Sequence, residues 1–341
     1  MNPVLPSRVG KRMRLGLVGA GRWGSRYITT CDGLEGVQLA LVASRNPATA
    51  QRAPPGCEVV EDWHSALEPR RLDGLILATP PAAHFEMALA CVRTGLPVLV
   101  EKPLTLDHGQ AQRLERAASD FDCLVMVDHT HLFSSAYEEL KARARELEGP
   151  LRVRGMGGNN GPFRADVSAL WDWGPHDLSM TLDLLALPPV AASARAISVG
   201  EPQEPGKMVI HAELGFPDGA HAELTFGNLM KARRRIFEVH GVNGALIYDD
   251  LAADKLIARD RSGVCTPVRL SRTPPLTRAV LAFRDAIRAG TREHPSLPLA
   301  VRVVEALHCI DRKLATPPTP PAGAAAPAAP TGHAAAGGRN H

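Results

Sequence analysis

Three stretches of this 341-residue chain carry residue types that could do chemistry together. The run Leu170-Trp171-Asp172-Trp173-Gly174-Pro175-His176-Asp177 places an imidazole between two acids. An imidazole titrates near neutral pH, so His176 could take a proton from a hydroxyl and return it, with Asp172 orienting it. Far upstream, Glu101-Lys102-Pro103 holds a lysine between an acid and a proline at the end of an apolar run. Poor solvation there would lower its pKa towards a useful range, although those three residues alone favour an ordinary surface-loop lysine. The third stretch, Gly19-Ala20-Gly21-Arg22-Trp23-Gly24, has the glycine spacing of a phosphate-binding turn.

Such residues act only if strands and helices bring them together. Met13 to Val18 reads as a buried strand running into the glycine turn and then a helix, the context in which that spacing is informative. Gly19 would allow the tight turn, Gly21 the close approach of a pyrophosphate, and Gly24 close packing of helix on strand, with Arg22 and Trp23 lining the same turn. Strands follow at Val37 to Ser44, Glu58 to Val60, Leu72 to Thr79, Pro97 to Glu101 and Cys123 to Asp128, with helices such as Ala82 to Arg93 and Asp107 to Ser119 between them. Continuous apolar strands alternating with helices predict a doubly wound parallel sheet over residues 13–128. Ligands of such sheets sit outside the carboxyl ends of the strands, which adds Thr79, Pro80, His84 and Glu101 to Lys102 as cofactor-site candidates. After the second strand, where an acid would bind the ribose hydroxyls of NAD, stand Ser44 and Arg45. Arg45 could pair with a 2′-phosphate, which favours NADP over NAD; the alternative is a solvated loop arginine or one stacked on adenine.

After Asp128 the pattern changes to an α+β region over residues 129–315. His129-Thr130-His131 could suggest a metal, but no third ligand is in view, and a strand end or cleft lining is the preferred reading. No metal is assigned. A helix over Ser135 to Leu147 precedes strands at Leu151 to Met156, Ala192 to Val199, Lys207 to Phe216, His221 to Leu229, Arg234 to His240, Ala245 to Tyr248 and Lys255 to Ala258. Pro217-Asp218-Gly219 and Asn243-Gly244 are hairpin turns, so most of this sheet should be antiparallel. Lys231, Arg233, Arg234 and Arg235 read as a charged sheet edge, with an anion site as the alternative. Asn159, Asn160 and Arg164 lie close enough in sequence to the Asp172 stretch to be substrate candidates. Pro175 suits a first helical turn, which would leave Asp172 in the incoming loop. Two closing helices are predicted at Leu276 to Ala289 and Leu297 to Leu314. Residues 1–12 read as a flexible start and 316–341, rich in Pro, Ala and Gly, as a disordered tail.

Bulk properties narrow the class of protein. With 39 basic and 36 acidic side chains the net charge is +3, too balanced to neutralise a nucleic-acid backbone. The six cysteines form no zinc-like or C-x-x-C spacing, which fits a reduced, cytoplasmic setting. No apolar run approaches a membrane span, so neither membrane nor nucleic acid is an expected partner.

Taken together, Gly19 to Gly24, Thr79-Pro80 with His84, Glu101-Lys102-Pro103 and Asp172 to Asp177 resemble, in order and spacing, the Gfo/Idh/MocA oxidoreductases over residues 13–314. The resemblance implies a Rossmann domain followed by a second domain built on a large open sheet. It also implies pyridine-nucleotide oxidoreduction of a sugar, cyclitol or nucleotide sugar, and a homo-oligomer, a dimer or tetramer, formed through that sheet. It places Lys102 near nicotinamide and substrate, His176 as the acid/base and Asp172 one turn before it. The chain departs from the commoner pattern at Gly174-Pro175, at Ser179 where a further acid is frequent, and in lacking the acid after the second strand. Two other readings use the same scaffold: a nucleotide-responsive regulatory protein, and a redox-neutral lyase or hydrolase that retains its cofactor.

Overall fold

A computed structural model of the chain describes residues 12–68, 71–199 and 206–315. The tail and nearly all of the expected flexible start lie outside the described residues. Strands β1 (Met13–Val18), β2 (Val37–Ala43), β3 (Glu58–Val60), β4 (Gly74–Leu77), β5 (Val98–Glu101) and β6 (Val125–Asp128) form a parallel sheet in the order β3-β2-β1-β4-β5-β6. Strand order reverses between β1 and β4, so the crevice outside their carboxyl ends is the switch point at which such sheets bind ligands.

Both faces of this sheet are covered, which is why its strands are apolar throughout. Helices α2 (His84–Thr94) and α3 (His108–Asp120) pack over Leu75, Leu77, Val98 and Val100. Helix α1 (Gly24–Asp32) covers Leu15, Leu17, Ile76 and Leu99. Beside it lies α6 (Pro275–Arg288), whose Val280 and Phe283 join that same core. The chain therefore returns from its second half to seal the first sheet.

The second sheet has eight strands. These are β7 (Arg152–Asn160), β8 (Ala191–Val199), β9 (Met208–Gly215), β10 (His221–Gly227), β11 (Leu229–His240), β12 (Gly244–Asp249), β13 (Leu256–Asp260) and β14 (Cys265–Pro267). Their order is β14-β13-β12-β11-β7-β10-β9-β8, and only the β10–β7 pair is parallel. The fold is thus mixed α/β: a parallel Rossmann sheet and a separate, mostly antiparallel sheet. Gly219 takes φ +82° in the β9–β10 turn, and Asp218 there accepts from the Ala220 amide. The basic run does not lie on an edge. Strand β11 is interior, between β12 and β7, and its register shifts between Leu229 and Arg234. That irregularity hides the strand from a period-two reading and lets four cationic residues sit in mid-sheet.

Helix α4 (Ser135–Arg143) precedes β7, and α5 (Ala169–Leu185) lies on β7 and β10 and against α7 (Ser296–Ala315), buried on nearly every side. It begins at Ala169, not at Pro175. Proline at 175 removes the N–H that the Trp171 carbonyl would use, a cost that ordinarily marks a helix start. Here the extensive burial of α5 offsets it, and the helix runs through. Asp172 and His176 therefore stand four residues apart on one helical face.

Candidate active site

At the cofactor end, backbone geometry does most of the work. Gly19 has φ +93°, and a Cβ there would stand 2.5 Å from the Ala78 carbonyl oxygen. A Cβ on Gly24 would lie 1.9 Å from the Gly19 carbonyl oxygen, so only glycine lets α1 start this close to the turn. A Cβ on Gly21 would meet nothing within 4 Å, leaving open approach to the turn where a pyrophosphate would lie. These residues fit a dinucleotide. Arg22 is exposed on the turn, whereas the Trp23 indole points inward and donates to Glu101 Oε1.

The loop after β2 is folded by Ser44, whose Oγ lies 2.9 Å from Thr49 Oγ1 and accepts from the Asn46 amide at 3.2 Å. Arg45 is exposed beside it. A residue that sequence reasoning missed completes this end: Arg52 reaches back over the loop and donates to Ser25 Oγ at 2.6 Å and to the Ala20 carbonyl at 3.4 Å. No spacing in the sequence marks it, because its position follows from how the loop folds.

His84 and Glu101 act behind the cofactor loops rather than on their open side. His84 is fully buried, with Nδ1 2.8 Å from the Pro103 carbonyl and Nε2 3.0 Å from the Thr79 carbonyl. It ties the loop after β4, with Thr79 and Pro80, to the loop after β5. Burial lowers its pKa, against the pull of the two carbonyls. Glu101 faces into the protein, where the Tyr27 hydroxyl lies between it (2.8 Å) and Asp128. One hydroxyl hydrogen cannot serve two carboxylates, and burial pushes Glu101 up to about 8 and Asp128 up to about 6. The Tyr27 hydroxyl thus stands between two carboxyls that burial makes reluctant to ionise.

At the reacting end, Lys102 leaves β5 and crosses to α5. Its Nζ donates to the Asp172 carbonyl at 2.8 Å and to Asp172 Oδ1 at 3.3 Å. Burial lowers the Lys102 pKa, with Asp172 and then Glu101 opposing. The same Asp172 oxygen accepts from Arg164 Nη1 at 3.3 Å, and Arg164 also grips Asp166. Asp172 thus orients Lys102 rather than His176. His176 lies one turn on, its pKa held well below the usual range by burial and then by the Lys102 ammonium. A neutral imidazole is the form a general base needs. Of the two asparagines, Asn159 falls on the α5 side of β7 with Gly155 and Gly157, while alternation puts Asn160 on the opposite face.

Two further side chains close this end from behind. His131 comes from a 3₁₀ turn, not an extended segment, and its ring meets that of His176 edge-on with centroids 5.0 Å apart. Arg235, from the basic run, turns inward over the Trp173 ring at 4.3 Å. His129 is also buried, which pushes its pKa down to about 3.

A dinucleotide crevice joined to a lysine and an imidazole defines the class: a nicotinamide-dependent oxidoreductase. The chain belongs to the Gfo/Idh/MocA oxidoreductase family. The family's N-terminal model, described as an oxidoreductase family with an NAD-binding Rossmann fold, matches residues 13–129, and its C-terminal domain model matches 152–247. A curated relative, the NADP(+)-dependent scyllo-inositol 2-dehydrogenase IolW of Bacillus subtilis, is 23% identical over 86% of this chain and 92% of its own. A solved structure from Magnetospirillum magnetotacticum MS-1 is 39% identical, with a TM-score of 0.80 over 87% of this chain and 99% of that one. A 3-ketoreductase from Actinomadura kijaniata, solved with NADP and TDP-benzene, shares the fold at 22% identity, with a TM-score of 0.78 over 89% of this chain and 98% of its own.

Proposed function

We propose that this enzyme interconverts a secondary alcohol and a ketone on a sugar, cyclitol or nucleotide sugar, with NADP preferred over NAD. The observation that carries the reading is the convergence of Lys102, Asp172 and His176 at the carboxyl end of β5. The activities named for the inositol dehydrogenase and the ketoreductase support the substrate class. Bound nicotinamide supplies the hydride acceptor or donor at its C4. His176 removes the hydroxyl proton in oxidation and returns it in reduction. Lys102 donates a hydrogen bond to the same oxygen and stabilises its negative charge, held in line by Asp172 and Arg164. Asn159, on the α5 face of β7, is placed to bind substrate hydroxyls.

Arg45, exposed after β2, and Arg52, which reaches back to Ser25, are the cations we assign to the ribose end of the dinucleotide, and the absence of an acid after β2 removes the repulsion that a 2′-phosphate would meet. All six cysteines are free thiols, so we place the enzyme in a reducing, cytoplasmic compartment. No helix among the described residues is long and apolar enough to cross a membrane. The outward face of the second sheet, with Met156 42% exposed, is the surface we assign to homo-oligomer formation.

The test is a screen of myo-inositol, scyllo-inositol and nucleotide sugars with NADP+ and NAD+, read by absorbance of the reduced cofactor. His176→Ala and Lys102→Ala should each lower kcat by about 10²–10⁴-fold while dinucleotide binding persists. Full turnover in either variant would overturn the assignment. A regulatory protein would show binding without turnover.

A further inference from the structure

The Nδ1 of His176 is buried and has no hydrogen-bond partner. Behind it is a cavity of about 10 Å³ whose lining includes His131, His176, Asp177, Arg235 and Tyr248. Asp177 is 3% exposed, and its Oδ2 is likewise unpartnered. A space of this size is at the lower limit for one water, and two of its lining residues, His176 and Asp177, carry buried polar atoms that have no partner in the protein. His131 Nδ1 in turn lies 3.4 Å from the Tyr248 hydroxyl. Burial and then the charge of the Asp250 carboxylate raise the pKa of that hydroxyl, with Ser134 opposing. Asp250 pairs with Lys255 at 2.6 Å, and both side chains reach solvent, 26% and 44% exposed.

We propose that the proton taken up by His176 leaves the protein through a relay of one cavity water, His131, Tyr248 and Asp250. The proposal rests on His176 as the proton acceptor. In oxidation the substrate C–H delivers its hydride to the dinucleotide and the O–H proton goes to His176. The His176 Nδ1 proton then passes through the water to His131, and His131 gives the proton on Nδ1 to the Tyr248 oxygen. As it does so the phenol hands its own proton to Asp250, and Asp250 releases it to bulk water. Reduction runs each transfer backwards, so no net charge accumulates. A route away from Lys102 is needed because a second positive charge beside that ammonium is repelled. Arg235 faces the same cavity from β11 but cannot give up its proton, while Asp177 lies between α5 and β7, away from the surface.

The relay can be tested without a substrate. The full-length chain, with isotope-labelled histidine and saturated with NADP+, is placed in the NMR spectrometer and the solvent exchange of the His176 ring N–H is measured. Tyr248→Phe keeps the ring and removes the hydroxyl, and it should slow that exchange by about ten-fold or more. An unchanged rate in a variant with a native melting temperature would overturn the relay. If Tyr248→Phe does not fold, Asp250→Asn at the half-exposed outer end carries the same test, with the same two outcomes. Failure of every sugar in the activity screen leaves this measurement intact, so the two proposals fail separately.

Discussion

The two ends of the site meet at Lys102 but are made from different materials. At the cofactor end one contiguous stretch, Gly19 to Gly24, supplies backbone, and its side chains matter chiefly by being absent. At the reacting end side chains from β5, α5, the loop after β6, and β11 converge, several of them buried and ionisable. Substitutions should therefore damage the first end through packing and the second through charge.

Gly24→Ala against Gly21→Ala is the strongest test of the first half of that contrast. The Cβ at 24 would collide with backbone at 1.9 Å, which cannot swing aside as a side chain can. A loss of roughly 3 kcal/mol follows, seen as a fall in melting temperature of roughly 5–10 °C. The Cβ at 21 meets nothing, so stability should stay within about 0.5 kcal/mol while KM for the dinucleotide rises. Equal stability losses at 21 and 24 would break the comparison.

A smaller effect belongs to Arg45 and Arg52, the one place at the cofactor end where side-chain charge decides anything. Arg45→Ala and Arg52→Ala should each raise KM for NADP about ten-fold, or about 1.4 kcal/mol, and leave KM for NAD unchanged. An unmoved NADP-to-NAD ratio in both variants would remove the basis for NADP preference.

The same contrast explains what was legible in the sequence. The glycine turn and the parallel sheet follow from local patterns, since nearly every strand is apolar and the turn carries its own chemistry. Lys102, Asp172 and His176 were also visible as residue types at suggestive places. Their geometry was not, because Pro175 reads as a helix start and only burial of α5 carries the helix through it. Arg235 was hidden for a similar reason. A register break in β11 disguises an interior strand as a charged edge, and which arginine turns inward depends on Trp173, some sixty residues away. Arg52 had no local signal, as its partners lie across a folded loop.

Charge at the reacting end can be isolated at Asp177, whose carboxyl rests over Gly155 and Gly157 where a Cβ would stand only 3.2 and 2.7 Å from its oxygens. Burial pushes this group up to about 7, with Arg235 opposing. Its folded pKa lies above the unfolded value near 4, so the stabilisation it gives is full below about pH 4 and is lost as pH rises through about 7. Asp177→Asn keeps the shape and removes the ionisation. The melting temperature of the wild type relative to this variant should therefore fall by a few degrees between pH 5.5 and pH 8.5, bounded by about 2 kcal/mol because the part of the loss below pH 5.5 has already occurred. Glu101 and Asp128 share the sign, and His129 and His131 oppose it, but all four are present in both proteins and cancel in the difference. The matching difference for Gly21→Ala should be flat over the same range, because nothing that titrates is altered there. A flat profile for Asp177→Asn would mean that the carboxyl finds water or a cation in solution, and that the reacting end is not organised by buried charge at this point.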